Sequence, residues 1–261
     1  MQEKENYAKE KKETMEGGEE NLLTPKNDII FQSLFSKGHE RITKALISSI
    51  IKTEVTEIDM DSSTHLNRKY MDSKLGILDF RAKLQDGIQC NIEIQLKDKG
   101  DTEDRFVWYT SNQYVSQLKK GEPYEELKKT ICILILDYEL PLLEDIEEGY
   151  TNWKWREEKH PEKVLTEKVE IYIISLPKII RKKNKEENNS LIQWMLFLSD
   201  PKSKEVQKIM KENEEIKEAV DIFEDITSDE ELRRIMELRD KAIRDEKNMI
   251  RTAEKKAKEE R

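Results

Sequence analysis

Apolar and polar residues along this chain fall into blocks of different period, and each period predicts a different element. Beyond Pro25, Ile29, Ile30, Leu34 and Phe35 share one helical stripe, and Ala45, Leu46, Ser49 and Ile50 form a second amphipathic stretch. The domain is therefore expected to open with helices. Between Leu75 and Leu96 the period drops to two. Leu78, Phe80, Ala82 and Leu84 alternate with Asp79, Arg81 and Lys83, and Ile88, Cys90, Ile92, Ile94 and Leu96 alternate with Gln89, Asn91, Glu93 and Gln95. That pattern predicts two half-buried strands joined through Asp86-Gly87. A two-residue loop would set Phe80 opposite Glu93 and mix apolar with polar on both faces. A three-residue loop, Gln85-Asp86-Gly87 with Gly87 left-handed, pairs Leu84 with Ile88, Ala82 with Cys90, Phe80 with Ile92 and Leu78 with Ile94. Only the second register sends every apolar residue to one side.

The segment from about Glu103 to Lys119 is expected to be helical and to stop at Gly121 and Pro123. TICILILDY is a continuous apolar run of strand length, suited to burial on both faces. YTNWKW and VEIYIISL predict two more strands. From Asn184 the pattern is helical to the end. Ser228 with Glu231 forms a capping-box sequence, and Leu232, Ile235, Met236, Ala242, Ile243, Met249, Ile250 and Ala253 form a narrow stripe on a charged rod. That stripe needs a partner: its own domain is the first expectation, a second copy the next. This order of elements describes an α/β or α+β domain with a mixed sheet flanked by helices. The expected division is a disordered charged arm over 1–20, a catalytic-type domain over 21–183 and a helical region over 184–261.

Composition narrows the class. The chain carries 47 Lys and Arg against 56 Asp and Glu, a net charge of −9. Acidity on this scale argues against a protein coated in nucleic acid, since phosphate neutralisation needs a basic surface, but it leaves room for a local basic groove. No apolar run is long enough for a membrane span or a signal peptide, so a cytoplasmic protein with no membrane partner is expected. The two cysteines, Cys90 and Cys132, sit among isoleucines and are expected to be buried free thiols. His39, His65 and His160 have no metal-ligand spacing, and no Gly-rich phosphate loop or Gly-x-Ser-x-Gly occurs.

In the preferred register Asp79 lies directly across from Glu93, Ile77 from Gln95, and Arg81 from Asn91. Like charges so placed repel at about 5 Å between Cβ atoms. A divalent cation relieves that repulsion, and Mg²⁺ is typically held by one or two carboxylates together with waters. An exposed sheet face on which Arg81 and Lys83 dilute the acid charge accounts for the same residues without a metal.

The hairpin LGILDFRAKLQDGIQCNIEIQL followed by DRFVWYTSNQYVSQLKKGEPYEELKKTICILILDY resembles the Rpn family of recombination-promoting nucleases, the PD-(D/E)XK nuclease family transposases. The similarity runs from PKNDIIFQSLF to SDEELRRIMELRDKAIRDE, and its specificity lies in the combined order and spacing. The resemblance implies a restriction-endonuclease-like core and a Mg²⁺-dependent endodeoxyribonuclease, with Mn²⁺ able to substitute and DNA as the substrate. It makes Asp79, Glu93 and the Ile94 carbonyl metal ligands, and Gln95 the third catalytic position, where many relatives outside this branch have Lys. Metal-bound hydroxide would then attack the phosphodiester in line. Gln95 cannot serve as a base; its amide can orient water or a phosphate oxygen.

Asp28 matches an acidic position of the family's opening helix, although an Asp there also favours the helix dipole. Gln32 stands where the family often has Lys. Arg105 and Tyr109 match an Arg-x-x-x-Tyr on one helix face, with Arg105 either gripping phosphate or pairing with Asp101 or Asp104. Trp108 and Tyr114 are expected in the core. Three functions follow: a nuclease acting in recombination, transposition or defence; a degenerate relative that only binds DNA or protein; and a scaffold self-associating through its C-terminal helix.

Overall fold

In the computed structural model, which describes residues 23–60, 80–98, 100–182 and 189–259, the chain opens on two helices. Helix α1 (Asp28–Leu34) starts where the Asn27 side chain accepts a hydrogen bond from the Ile29 amide at 3.0 Å, and α2 (Glu40–Ile51) ends at Lys52, which is left-handed at φ 56°. Their buried stripes, Ile29, Ile30, Leu34 and Phe35, then Leu46 and Ile50, are the predicted ones.

Strand β1 (Ile58–Met60) has too few residues to show a period, and the hydrophobic pattern did not predict it. Strands β2 (Phe80–Leu84) and β3 (Gln89–Gln95) form the expected hairpin. Phe80 pairs with Ile92 and Ala82 with Cys90, and the Leu84 amide donates to the Ile88 carbonyl at 2.8 Å. The turn is Gln85-Asp86-Gly87, with both Asp86 (φ 60°) and Gly87 (φ 77°) left-handed. Asp tolerates that region through its short polar side chain. Ile77, Leu78 and Asp79, for which the sequence predicts pairing with Gln95, Ile94 and Glu93, lie outside the described residues, as do His65 and the 1–20 arm.

Helix α3 (Thr102–Val115) is shorter than predicted: the chain leaves it through turns before Gly121, which is left-handed at φ 93°. Strand β4 (Thr130–Leu136) is buried at every position. Strands β5 (Tyr150–Lys154) and β6 (Val169–Ser175) complete one six-stranded sheet in the order β1-β2-β3-β4-β6-β5, with β3, β4 and β6 mutually parallel. Helices α4 (Leu176–Lys182), α5 (Ser190–Ser199), α6 (Lys204–Ile209), α7 (Glu214–Ser228) and α8 (Glu230–Glu259) follow.

Two cores lie on opposite sides of the sheet. On one side Phe80, Cys90, Ile92, Ile133 and Ile174 pack with Phe35 and Leu46 and with Trp194, Phe197 and Phe223 of α5 and α7. On the other, Phe106 of α3 covers Cys132, Leu134, Leu136 and Ile173. Both cysteines are buried and outside any disulfide, one in each core, and the Cys132 thiol donates to Gln113 Oε1 at 3.5 Å. At the end of the sheet where β4 and β6 begin, buried Glu170 accepts from Lys129 and Lys154 at 2.8 Å and from Tyr172 at 2.6 Å. Burial pushes its carboxyl up, and these donors outweigh burial and hold it low.

The cap of α8 is Asp229, whose Oδ1 accepts from the Glu231 and Leu232 amides. Ser228 is the last residue of α7 and donates to the Asp225 carbonyl. Leu232 and Met236 pack on the domain, but every described side chain from Glu237 on is exposed, Ala242 and Met249 included. Among the described side chains, the stripe meets its own domain at Leu232 and Met236.

Two predictions follow from this packing. A methyl group on Gly149 would stand 2.5 Å from Ile179 Cγ1 and 2.8 Å from the Ile179 amide nitrogen. Gly149→Ala is expected to destabilise the fold by about 1–3 kcal/mol in urea unfolding. Burial pushes the Tyr150 phenol up to about 12, with its hydroxyl donating to the Ile50 carbonyl at 2.8 Å. The folded state thus favours the protonated phenol, so this stability is complete below the ordinary tyrosine value near 10 and is lost as pH rises towards 12. Circular dichroism should show a steeper alkaline loss of stability in the parent than in Tyr150→Phe.

Candidate active site

Alternation along β3 puts Asn91, Glu93 and Gln95 on the face that α3 covers, because Cys90 and Ile92 belong to the opposite core. Arg81 pairs directly with Asn91 on that face, as predicted. Glu93 and Gln95 lie near the carboxyl ends of parallel β3 and β4, the edge where open α/β sheets form their clefts.

The two oxygens of Glu93 have different surroundings. Oε1 accepts from the Gln95 amide at 2.6 Å and from the Arg105 guanidinium at 3.3 Å. Oε2 is buried and, among the described residues, meets no hydrogen-bond donor. The side chain as a whole is only 13% exposed, so this oxygen is a desolvated acceptor without a partner, and leaving it so is costly.

Gln95 is held from behind. Its Oε1 accepts from the Tyr138 hydroxyl at 3.0 Å and faces the Thr102 hydroxyl at 3.4 Å. Thr102, the first residue of α3, also donates to Asp98 at 3.0 Å. With the Tyr138 hydroxyl donating to its oxygen, the Gln95 amide has one orientation available, nitrogen towards Glu93. Burial pushes the Tyr138 phenol above its ordinary value, so it stays protonated and donates a hydrogen bond. Thr102 and Tyr138 were not among the predicted site residues; the Tyr closing TICILILDY was a visible signal, while Thr102 is an ordinary helix-start residue in sequence.

Arg105 faces Glu93, not Asp101 or Asp104, as its ion-pair partner. Tyr109, one turn on, is half-buried with its ring edge-on to Trp108 at 5.2 Å. Trp108 is 61% exposed, which overturns its expected place in the core; Tyr114 is half-buried. Position 108 faces away from Phe106 and Thr110, the residues that α3 buries.

Asp28 sits in the first turn of α1, where its Oδ1 accepts from the Ile29 amide at 2.8 Å. Lys26 pairs with Asp137 at 2.8 Å, and the Asp137 amide donates to the Gln95 carbonyl at 2.9 Å. The start of α1 is thereby tied to the sheet edge that carries Gln95.

Backbone groups of β3 alternate between its neighbours. Those of Gln89 and Gln95 bond towards β4, and the Ile88 carbonyl bonds to β2. The Ile94 carbonyl therefore points to the β2 side. Among the described residues no cluster of three or more His, Cys, Asp or Glu occurs. A carboxylate oxygen without a donor and the peptide carbonyl of the next residue are nonetheless hard-oxygen groups, of the kind that a divalent cation such as Mg²⁺ takes as ligands. Asp79, the expected second carboxylate, lies outside the described residues.

The family model described as PD-(D/E)XK nuclease family transposase matches residues 25–253. No curated protein and no solved structure matches the chain.

Tyr138→Phe removes the shorter hydroxyl contact to Gln95 Oε1. It should cost about 1 kcal/mol, read as a lower urea midpoint with an unchanged slope.

Proposed function

The chain belongs to the PD-(D/E)XK nuclease family transposases, and from that premise we propose that it is a divalent-metal-dependent DNA endonuclease hydrolysing phosphodiester bonds at Glu93. The observation that carries this is the divided carboxylate: one oxygen is fixed by Gln95 and Arg105, and the other is buried without a donor. A salt bridge built only for stability would satisfy both oxygens.

Glu93 Oε2 and the Ile94 carbonyl are the proposed ligands, with Asp79, which directly precedes Phe80 in the sequence, as the second carboxylate. Mg²⁺ is the proposed ion and Mn²⁺ a substitute. Such a cation, when bound, polarises a phosphoryl oxygen and acidifies its water. Gln95 holds the carboxylate in place and has no basic atom, so it positions and does not abstract a proton. Arg105 carries a planar donor array beside the carboxylate and is suited to a phosphate oxygen. Tyr109 lines the same side of α3, and Asp28 is proposed to stand outside the ligand shell at the sheet edge tied by Lys26 and Asp137. The setting is DNA recombination, transposition or defence in the cytoplasm. Among the described residues no helix is long and apolar enough to cross a membrane.

The exposed length of α8 favours an additional role in self-association. Residues 237–259 extend about 35 Å at 1.5 Å per residue, with Leu238 and Met249 uncovered. Light scattering of a chain ending at Met236 should report a smaller assembly than the full chain; equal masses exclude the tail.

Purified protein with Mg²⁺ should nick plasmid DNA, and Glu93→Ala or Asp79→Ala should slow this by roughly two orders of magnitude or more while leaving the circular dichroism spectrum unchanged. Undiminished cutting by both variants would place the chemistry elsewhere.

A further inference from the structure

The six-stranded sheet ends in two unlike edges. At one end β1 is a stub of three residues; at the other, β5 runs for five. An open edge offers a row of backbone amides and carbonyls to any extended chain, and proteins blunt such edges by shortness, proline, a bulge or outward charge. β5 carries none of these devices. Its sequence YTNWK holds no proline, its residues pair with β6 one to one, and the ammonium of its one lysine, Lys154, bonds Glu170 at 2.8 Å.

The outward backbone groups follow from one hydrogen bond. The Ser175 amide donates to the Gly149 carbonyl at 2.8 Å, which makes these facing residues a hydrogen-bonded pair. Alternation along the antiparallel ladder then turns the backbone of Thr151 and Trp153 towards β6, and that of Tyr150, Asn152 and Lys154 away from it. Among the described residues no strand lies beyond them. Trp153 is 37% exposed beside this edge, its indole nitrogen donating to Thr151 Oγ1 at 2.8 Å, and Trp155 is 56% exposed. Apolar surface thus flanks the open backbone.

We propose that β5 pairs with β5 of a second copy of this chain, antiparallel about a two-fold axis at Asn152, so that the two sheets become one. Tyr150 then faces Lys154 of the second copy and Asn152 faces its own counterpart, so every outward residue of both strands exchanges hydrogen bonds. An axis one residue to either side would leave an outward residue facing a position outside β5. Charge selects the orientation. Glu148 and Arg156 stand four residues to either side of Asn152, and both are exposed. Antiparallel pairing sets each beside its opposite in the second copy, whereas parallel pairing would set like beside like. Thr151 meets Trp153 of the second copy, a β-branched residue against an aromatic one. The edge is therefore complementary to itself, and the inference depends neither on chemistry at Glu93 nor on α8.

The test is sedimentation velocity of the full chain over a range of concentrations, where a concentration-dependent dimer is expected. Asn152→Pro deletes an outward amide at the axis, and an edge strand tolerates proline where that amide faces solvent; it should weaken association by about tenfold or more. Glu148→Arg and Arg156→Glu should each weaken it about threefold, and the double variant should restore parental affinity, a recovery that misfolding cannot imitate. Asn152→Cys should give a covalent dimer on mild oxidation, because hydrogen-bonded antiparallel partners have Cα atoms about 5.5 Å apart and the native cysteines are buried. A monomer at every concentration overturns the proposal. So does a dimer that these variants leave unmoved in chains with parental melting curves; if Met249→Glu, on the exposed part of α8, dissociates it instead, the tail is the interface.

Discussion

The arrangement of the site depends on a single turn. Gln85-Asp86-Gly87 closes the hairpin with two consecutive left-handed residues, and that extra residue sets which side of β3 faces which core. Because side chains alternate, a shift of one position would carry Glu93 and Gln95 into the helical core and bring Cys90 and Ile92 out to α3. The helical core would not survive it, since it would gain a charge and lose Cys90 and Ile92 together. The requirement to bury Phe80, Ala82, Cys90 and Ile92 is thus also what delivers a carboxylate to the opposite side of the sheet.

On that side the site is assembled by crossing elements. β3 supplies Glu93 and Gln95, the helix that follows supplies Arg105 and Thr102, and the end of the next parallel strand supplies Tyr138. Each hydrogen bond restricts the next group: hydroxyl to amide oxygen, amide nitrogen to carboxylate. A glutamine in this setting differs from the lysine common among relatives outside this branch. It brings no charge, and the cation beside the carboxylate is Arg105, carried by another element.

Much of this could be read in the sequence. Strong periodicity and the Asp-Gly turn gave the hairpin register, the helical stripes and the doubly buried strand. The three residues of β1 carry no period of their own and pair only because β2 offers an edge. Helix α3 ended early because the turn before Gly121, not helix propensity, decides where the chain leaves. Residue type alone suggests a core place for Trp108, whereas its direction follows from Phe106 and Thr110, the residues that the helix buries. Ser228 looked like a cap because it precedes Glu231 by three, but Asp229 takes the amides. The partners behind Gln95 come from positions 7 and 43 residues away, and a contact of that kind has no local signature.

Cys90 and Cys132 lie on neighbouring strands but project into different layers, Cys90 among the helices that include α5 and α7 and Cys132 under α3. They face away from each other across the thickness of the sheet, so oxidation within a folded chain has no bridge to form. Each sulfur becomes accessible only when its own covering layer lifts. The natural sequence therefore carries a separate chemical reporter for each half of the molecule, and the order in which a thiol reagent modifies them would reveal which layer comes loose first.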